Sequence, residues 1–244
     1  MPDISKNKDD PTIGVLCLDS RFPKPPGHIR NPAALDFKLL YEVVKGATVK
    51  TLLTNPSPEF VQSFIEAAKR LEARGVAAIT GSCGFLALFQ KELSAAVDIP
   101  VFVSSLIQLP MVFAMTGATA PVGVLTASRS SLTSKHFDAV GAGNIPVVIQ
   151  GMEGYREFNE VIIEGLRDTM DIALVEAEVL ACACALVDQN PAIRAIVLEC
   201  TDMPPYAHKI QEKLGLPIFD LTTLAAMVHA TIARTAYAGE ILDR

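Results

Sequence analysis

The chain of 244 residues contains no tryptophan, and only 6% of it is aromatic. That scarcity argues against stacking platforms for bases or sugars. Concentrated charge is also missing. Lys and Arg number 21 against 27 Asp and Glu, a formal net charge of −6. No basic cluster tracks a phosphate backbone, so nucleic acid is not an expected partner. No apolar run reaches transmembrane length without interruption, and the polar start Met1 to Asp10 is not a signal peptide. Residues 1–11 are expected to be a disordered lead-in, and no membrane partner is expected. Phosphate-loop and dinucleotide glycine motifs are lacking, as is any His/Cys spacing of a zinc site. Neither metal nor cofactor is therefore expected. Five cysteines, an odd number, fit free thiols in a reducing cytoplasm.

What is present is a core. Half of the residues are hydrophobic, enough for one large or two small globular domains. Short β-type runs alternate with helical patterns. Strands are expected at 12–18, 47–53, 76–80 and 101–103, and again at 122–125, 145–149, 192–198 and 217–219. Pro58 to Ala73 places Phe60, Phe64, Ile65, Ala68 and Leu71 on one helical face. Asn190-Pro191 ends a long helical region that starts near Glu157, and Gly215 stands where a helix cap belongs. Alternating β and α elements imply parallel sheets with helices on both faces. The fold class is α/β, in two similar lobes, 12–117 and 118–217, with a cleft between them.

The two lobes carry one pattern twice. Ala78-Ile79 falls on Ala195-Ile196, Cys83 on Cys200, Pro100 on Pro217 and Phe102 on Phe219, without a gap. Ile13-Gly14-Val15-Leu16 and Val122-Gly123-Val124-Leu125 open the two halves. In such sheets ligands bind at the carboxyl ends of the strands. Cys83 and Cys200 occupy matching strand ends, each ahead of a helix whose N-terminus favours a thiolate and offers N–H groups to a carboxylate. Two thiols facing one cleft is the layout of a two-base proton-transfer site. The rival reading of either cysteine is a small buried hydrophobe.

Gly81-Ser82-Cys83-Gly84 and Glu199-Cys200-Thr201-Asp202 resemble the two cysteine motifs of the aspartate/glutamate racemase superfamily. Val122 to Ser128 resembles the strand and hydroxyl motif that opens its second lobe. The resemblance implies a cofactor-independent racemase or epimerase of a small carboxylate, an amino acid or a derivative. One cysteine would remove the proton and the other would return one to the opposite face. It also implies that residues 218–244 return to the first lobe. The motifs depart from those of glutamate racemases. Cys83-Gly84-Phe85 replaces Cys-Asn-Thr, Cys200-Thr201-Asp202 replaces Cys-Thr-His, and Asp19-Ser20-Arg21 replaces Asp-Ser-Gly. These differences argue against glutamate itself.

Further candidates for substrate binding are Asp19, Asn55, Ser82, Gly84, Thr126, Ser128 and Thr201, all at or beside expected strand ends. Their rival roles are turns and helix caps. Glu199 and Asp202 bracket Cys200 as proton acceptors, against the commoner reading of solvated carboxylates. The Pro-stiffened loop Phe22 to Pro32, with Lys24, His28 and Arg30, is either a basic lid or a plain surface loop. Cys182 and Cys184 are expected in the core. Three other functions stay open: a maleate-type cis–trans isomerase with a cysteine nucleophile, a non-catalytic two-lobed binding protein, and a redox pair. The expected partner is a small carboxylate substrate, with a homo-oligomer possible in principle.

Overall fold

The computed structural model describes residues 11–31, 33, 35–54 and 58–237. Asn55, most of the expected lead-in and residues 238–244 lie outside them. The strand β1 (Ile13–Leu18) is buried along its whole length, so both of its faces need cover. It sits inside a four-stranded parallel sheet of order β2-β1-β3-β4, with β2 (Leu39–Val44), β3 (Ala78–Gly81) and β4 (Val101–Phe102). The helices of this lobe are α1 (Val49–Thr54), α2 (Pro58–Ala73), α3 (Gln90–Ala95) and α4 (Leu109–Met115).

The second sheet repeats the first. Its order is β6-β5-β7-β8, from β5 (Val122–Thr126), β6 (Val147–Gly151), β7 (Ile196–Leu198) and β8 (Ile218–Phe219). Its helices are α5 (Ser134–Ala139), α6 (Arg156–Phe158), α7 (Ile172–Gln189) and α8 (Ala207–Leu214), and α9 (Leu221–Ile232) follows. The registers agree residue for residue. Ile79 pairs with Val101 and Thr80 with Phe102, just as Ile196 pairs with Ile218 and Val197 with Phe219. These pairs are related by the same sequence offset that aligns Cys83 with Cys200. The expected two-lobed α/β fold is the fold observed.

The return of the chain begins one element later than residue 218. β8 still pairs with β7 in the second sheet. The helix α9 then lays Leu221, Leu224 and Ala225 against Ile13, Val15, Cys17, Ala78 and Phe102 of the first sheet. The opposite face of β1 packs with Phe64 and Leu71 of α2 in a larger apolar cluster that runs through both lobes.

Two local expectations are corrected. The second strand is Leu39–Val44, not 47–53; Val49 and Leu52 are instead the buried side of α1, an i, i+3 pair that serves a helix as well as a strand. The helical region from Glu157 is broken into α6, a π-helical turn (Asn159–Ile163) and α7. Gly165 takes φ +61 there, a left-handed conformation that ends a helix. Asp171 starts the next one, its carboxylate accepting from the Leu174 N–H at 3.1 Å.

Candidate active site at the paired cysteine turns

Each central sheet ends in a turn built the same way. The Ser82 N–H donates to Leu16 O at 2.9 Å, and the Glu199 N–H to Leu125 O at 2.7 Å. One residue on stand Cys83 and Cys200, both free and both buried. Each sulfur then accepts from the backbone N–H two residues further, that of Phe85 or of Asp202. Cys83 is extended and leads into a 3-10 turn, Gly84–Phe89; after Cys200 a 3-10 turn, Pro204–Tyr206, leads into α8.

The two turns lie against each other across the lobes. Thr201 Oγ1 donates to Ser82 O at 2.6 Å, and Ser105 Oγ to Leu198 O at 2.6 Å. Gly84 is pressed onto the second turn. A Cβ built there would lie 2.0 Å from Glu199 O and 2.3 Å from Glu199 Oε1, so only glycine fits.

Beyond the backbone the turns diverge. Ser82 Oγ accepts from the Leu18 N–H at 3.0 Å. At the matching place Glu199 accepts from the Ala127 N–H and from Thr126 Oγ1, the latter at 2.8 Å. Glu199 is fully buried, and among the described residues its Oε1 has no hydrogen-bond partner. Burial pushes its carboxyl up to about 8, against the Thr126 and Ala127 hydrogen bonds. Phe85 packs edge-on against the His136 ring at 5.3 Å between centroids. Its counterpart Asp202 is an acid that accepts from the Cys200 thiol at 3.7 Å and from His28 Nε2 at 2.9 Å.

His28 comes from the long loop after β1. Its Nδ1 accepts from the Arg30 N–H at 2.9 Å, so the proton sits on Nε2 and the ring is a neutral donor to Asp202. Burial likewise lowers the His28 pKa. Burial alone would raise the Asp202 carboxyl; the hydrogen bond from His28, with the Lys24 charge, outweighs it and holds it below the usual range. We therefore read the pair as neutral imidazole and carboxylate. Lys24 lies over the Phe22 ring and is lowered by burial to about 8. Both thiols are raised well above their ordinary value, Cys83 by burial and then Glu199, Cys200 by burial and then Asp202.

The structure thus brings Cys83, Cys200, Ser82, Gly84, Thr201 and Thr126 to one seam. The hydroxyl protons of Thr201 and Thr126 are committed to Ser82 O and Glu199 Oε2. Ser128 belongs to a separate polar group, with its Oγ at 3.1 Å from Glu153 Oε1. Asp19 is exposed and accepts from the Gly46 N–H at 3.2 Å. It borders a cleft of about 390 Å³ whose walls include Phe22, Thr48 and Ile163 but neither cysteine. Asn55, expected just past a strand, lies outside the described residues, and the residues before it form α1 instead.

Glu199 and Asp202 are not solvated carboxylates, and the loop is not a plain surface loop. Phe22, His28 and Ile29 in it are buried, and Gly27 rests against Pro205, whose Cα would lie 2.9 Å from an added Cβ. The sequence separation of 174 between His28 and Asp202 hides their pairing. Among the described residues, no group of three or more His, Cys, Asp or Glu is placed to hold a metal ion. Among them, too, no helix is long and apolar enough to cross a membrane.

Comparison with known proteins agrees with this architecture. The chain is 32% identical over 233 residues to dimethylsulfoniopropionate lyase 5 of Emiliania huxleyi, covering 90% of this chain and 45% of that protein. It is 31% identical over 219 residues to the dimethylsulfoniopropionate lyase of Durusdinium sp. clade D, covering 86% and 71%. The chain therefore spans about half the length of the first relative and more of the second. A Gly74Cys mutant of arylmalonate decarboxylase shares the fold at a TM-score of 0.60 and 15% identity, over 91% of this chain and 93% of that one. Residues 103–228 match the family described as Asp/Glu/Hydantoin racemase, and it is to this family that the chain belongs.

Proposed function

We propose that this protein is a lyase acting on a small carboxylate with a sulfonium leaving group, dimethylsulfoniopropionate or a near analogue. The single observation that carries the chemistry is the pair of free cysteines on matched strand ends, of which, among the described residues, only Cys200 has a carboxylate acceptor, Asp202. The substrate class comes from the named activity of the relatives.

The first step of a racemase and of this lyase is the same: a base removes the proton from the carbon next to a carboxylate. In a racemase a second acid returns a proton to the other face. With a sulfonium on the adjacent carbon, the electron pair of the broken C–H bond forms a C=C bond instead. The C–S bond breaks and neutral dimethyl sulfide leaves, with acrylate as the second product. Burial keeps both thiols protonated at rest. A cationic sulfonium entering the seam offsets the cost of a buried thiolate and makes Cys200 basic only when substrate is present. The backbone N–H groups of Gly84 and Thr201, with Lys24 and Arg30 of the loop, supply the positive potential for the substrate carboxylate and its growing charge. The loop 22–31 acts as a lid, His28 being its latch on Asp202.

A second reading, racemisation of a small carboxylate, is favoured by one observation: the second cysteine, Cys83, is kept at the matching position. Elimination needs one base; racemisation needs both thiols. Incubation with dimethylsulfoniopropionate, with headspace analysis for dimethyl sulfide, tests the first reading. Deuterium exchange of small chiral carboxylates in D₂O, followed by NMR, tests the second. Exchange without any dimethyl sulfide would replace the lyase by the racemase.

A further inference from the structure

Elimination and racemisation differ in their proton balance. Racemisation takes one proton and returns one. Elimination from dimethylsulfoniopropionate, a zwitterion, yields neutral dimethyl sulfide, the acrylate anion and one proton. Resting on the lyase reading above, the enzyme must therefore discharge a proton from its base in every turnover, through a group that touches both the base and solvent.

We infer that Asp202, held by His28, is the proton exit of Cys200. Asp202 Oδ2 lies 3.7 Å from Cys200 Sγ, and Oδ1 is fixed at 2.9 Å by His28 Nε2. The side chain of His28 is 2% exposed and that of Asp202 10%, so the acid is anchored from inside and reaches solvent at its edge. The sequence of transfers balances. The Cys200 thiolate takes the substrate proton, and the C–H electrons become the C=C bond while dimethyl sulfide departs with the C–S pair. The enzyme is left with Cys200 as the thiol, its resting form, and when the next sulfonium binds that S–H proton passes to Asp202 Oδ2 and from there to water, giving the thiolate for the new turnover. Cys83 has no such acceptor: Phe85 occupies the place of Asp202 and packs on His136. Glu199 is nearer in sequence, but it is sealed from solvent and cannot pass a proton outward. Asp202 is thus the relay, and His28 a positioning residue.

The test is acrylate formation from dimethylsulfoniopropionate by the parent, Asp202→Ala and His28→Gln, with and without added sodium acetate as an external proton carrier. Loss of the relay slows every turnover of Asp202→Ala at least about 100-fold, and acetate restores its rate in proportion to the acetate concentration while leaving the parent unchanged. A merely structural role gives a slowing that acetate does not relieve, and that result, or no slowing at all, overturns the inference. His28→Gln, which keeps the carboxylate but loosens it, guards against misfolding of the first variant. It is expected to slow turnover several-fold at unchanged KM; a raised KM with unchanged kcat would also count against the assignment. If the parent itself forms no acrylate, the lyase reading falls and the exit with it. If the parent forms acrylate and acetate relieves neither variant, only the exit falls.

Discussion

The two cysteine turns share a backbone and differ in almost every side chain around it. Residues 81–85 read Gly-Ser-Cys-Gly-Phe and residues 198–202 read Leu-Glu-Cys-Thr-Asp. The same strand registers and the same N–H contacts to sulfur hold both thiols. Ser82 and Glu199 even catch equivalent N–H groups, those of Leu18 and Ala127. What a duplicated fold supplies is therefore position; what the diverged side chains supply is a division of labour. The first turn is small and apolar and packs. The second carries two acids, Glu199 neutral and sealed from solvent, Asp202 ionised, open to solvent at its edge and held by His28.

The widest expected gap between the turns is in their response to pH. Glu199 has its carboxyl raised from 4.5 to about 8. The folded state thus holds a proton that the unfolded state has lost, and stability falls as pH rises from ~4.5 to ~8. At about 1.4 kcal/mol per unit the loss amounts to a few kcal/mol by pH 9. Glu199→Gln keeps the shape without the charge, so its melting temperature should exceed the parent's at pH 9 and match it near pH 5. Ser82→Ala, at the matching position, should lower stability by about 1–3 kcal/mol at every pH. Parallel pH curves for parent and Glu199→Gln would show that Glu199 is ionised when buried.

A second contrast lies one residue past each cysteine. Gly84→Ala drives a Cβ to 2.0 Å from Glu199 O, a backbone atom that cannot turn aside. A cost of about 1–3 kcal/mol is expected, with loss of activity because the two turns separate. Calorimetry and turnover on the purified variant measure both. The smallest effect belongs to the other turn. Thr201→Val removes the hydroxyl that ties it to Ser82 O at 2.6 Å and should cost about 1 kcal/mol, read as a small fall in denaturation midpoint. If Thr201→Val proves worse than Gly84→Ala, the seam is held by the hydroxyl rather than by close packing.

How much of this was legible in the chain follows from the range of each interaction. The duplication could be read because strand registers repeat the local order Ala-Ile, Cys, Pro, Phe. The bounds of α2 and the Gly215 cap of α8 were legible for the same local reason: a helical stripe and a left-handed residue, φ +65. The strand β2 was missed because Leu39 to Tyr41 are only half-buried on an edge, so the stretch lacks a clean alternation. Meanwhile Val49 and Leu52 offered apolar residues that a helix claimed. The character of Glu199 and Asp202 was hidden, since each is defined by a neighbour far away in sequence, Thr126 or His28. Local pattern gives the scaffold and the thiols; the electrostatics that separate their roles come from tertiary contacts alone.

The central claim is that Cys200 is the base of an elimination and Cys83 is not its proton-returning partner. It is tested most directly by the rate of dimethyl sulfide release from dimethylsulfoniopropionate for the parent, Cys200→Ser and Cys83→Ser. Serine nearly preserves shape while removing the acidity of the thiol. The parent should release dimethyl sulfide, Cys200→Ser should lose about 10³-fold or more, and Cys83→Ser should retain activity within about 10²-fold. Equal and complete loss in both variants, or a greater loss in Cys83→Ser, would contradict the division of labour between the turns.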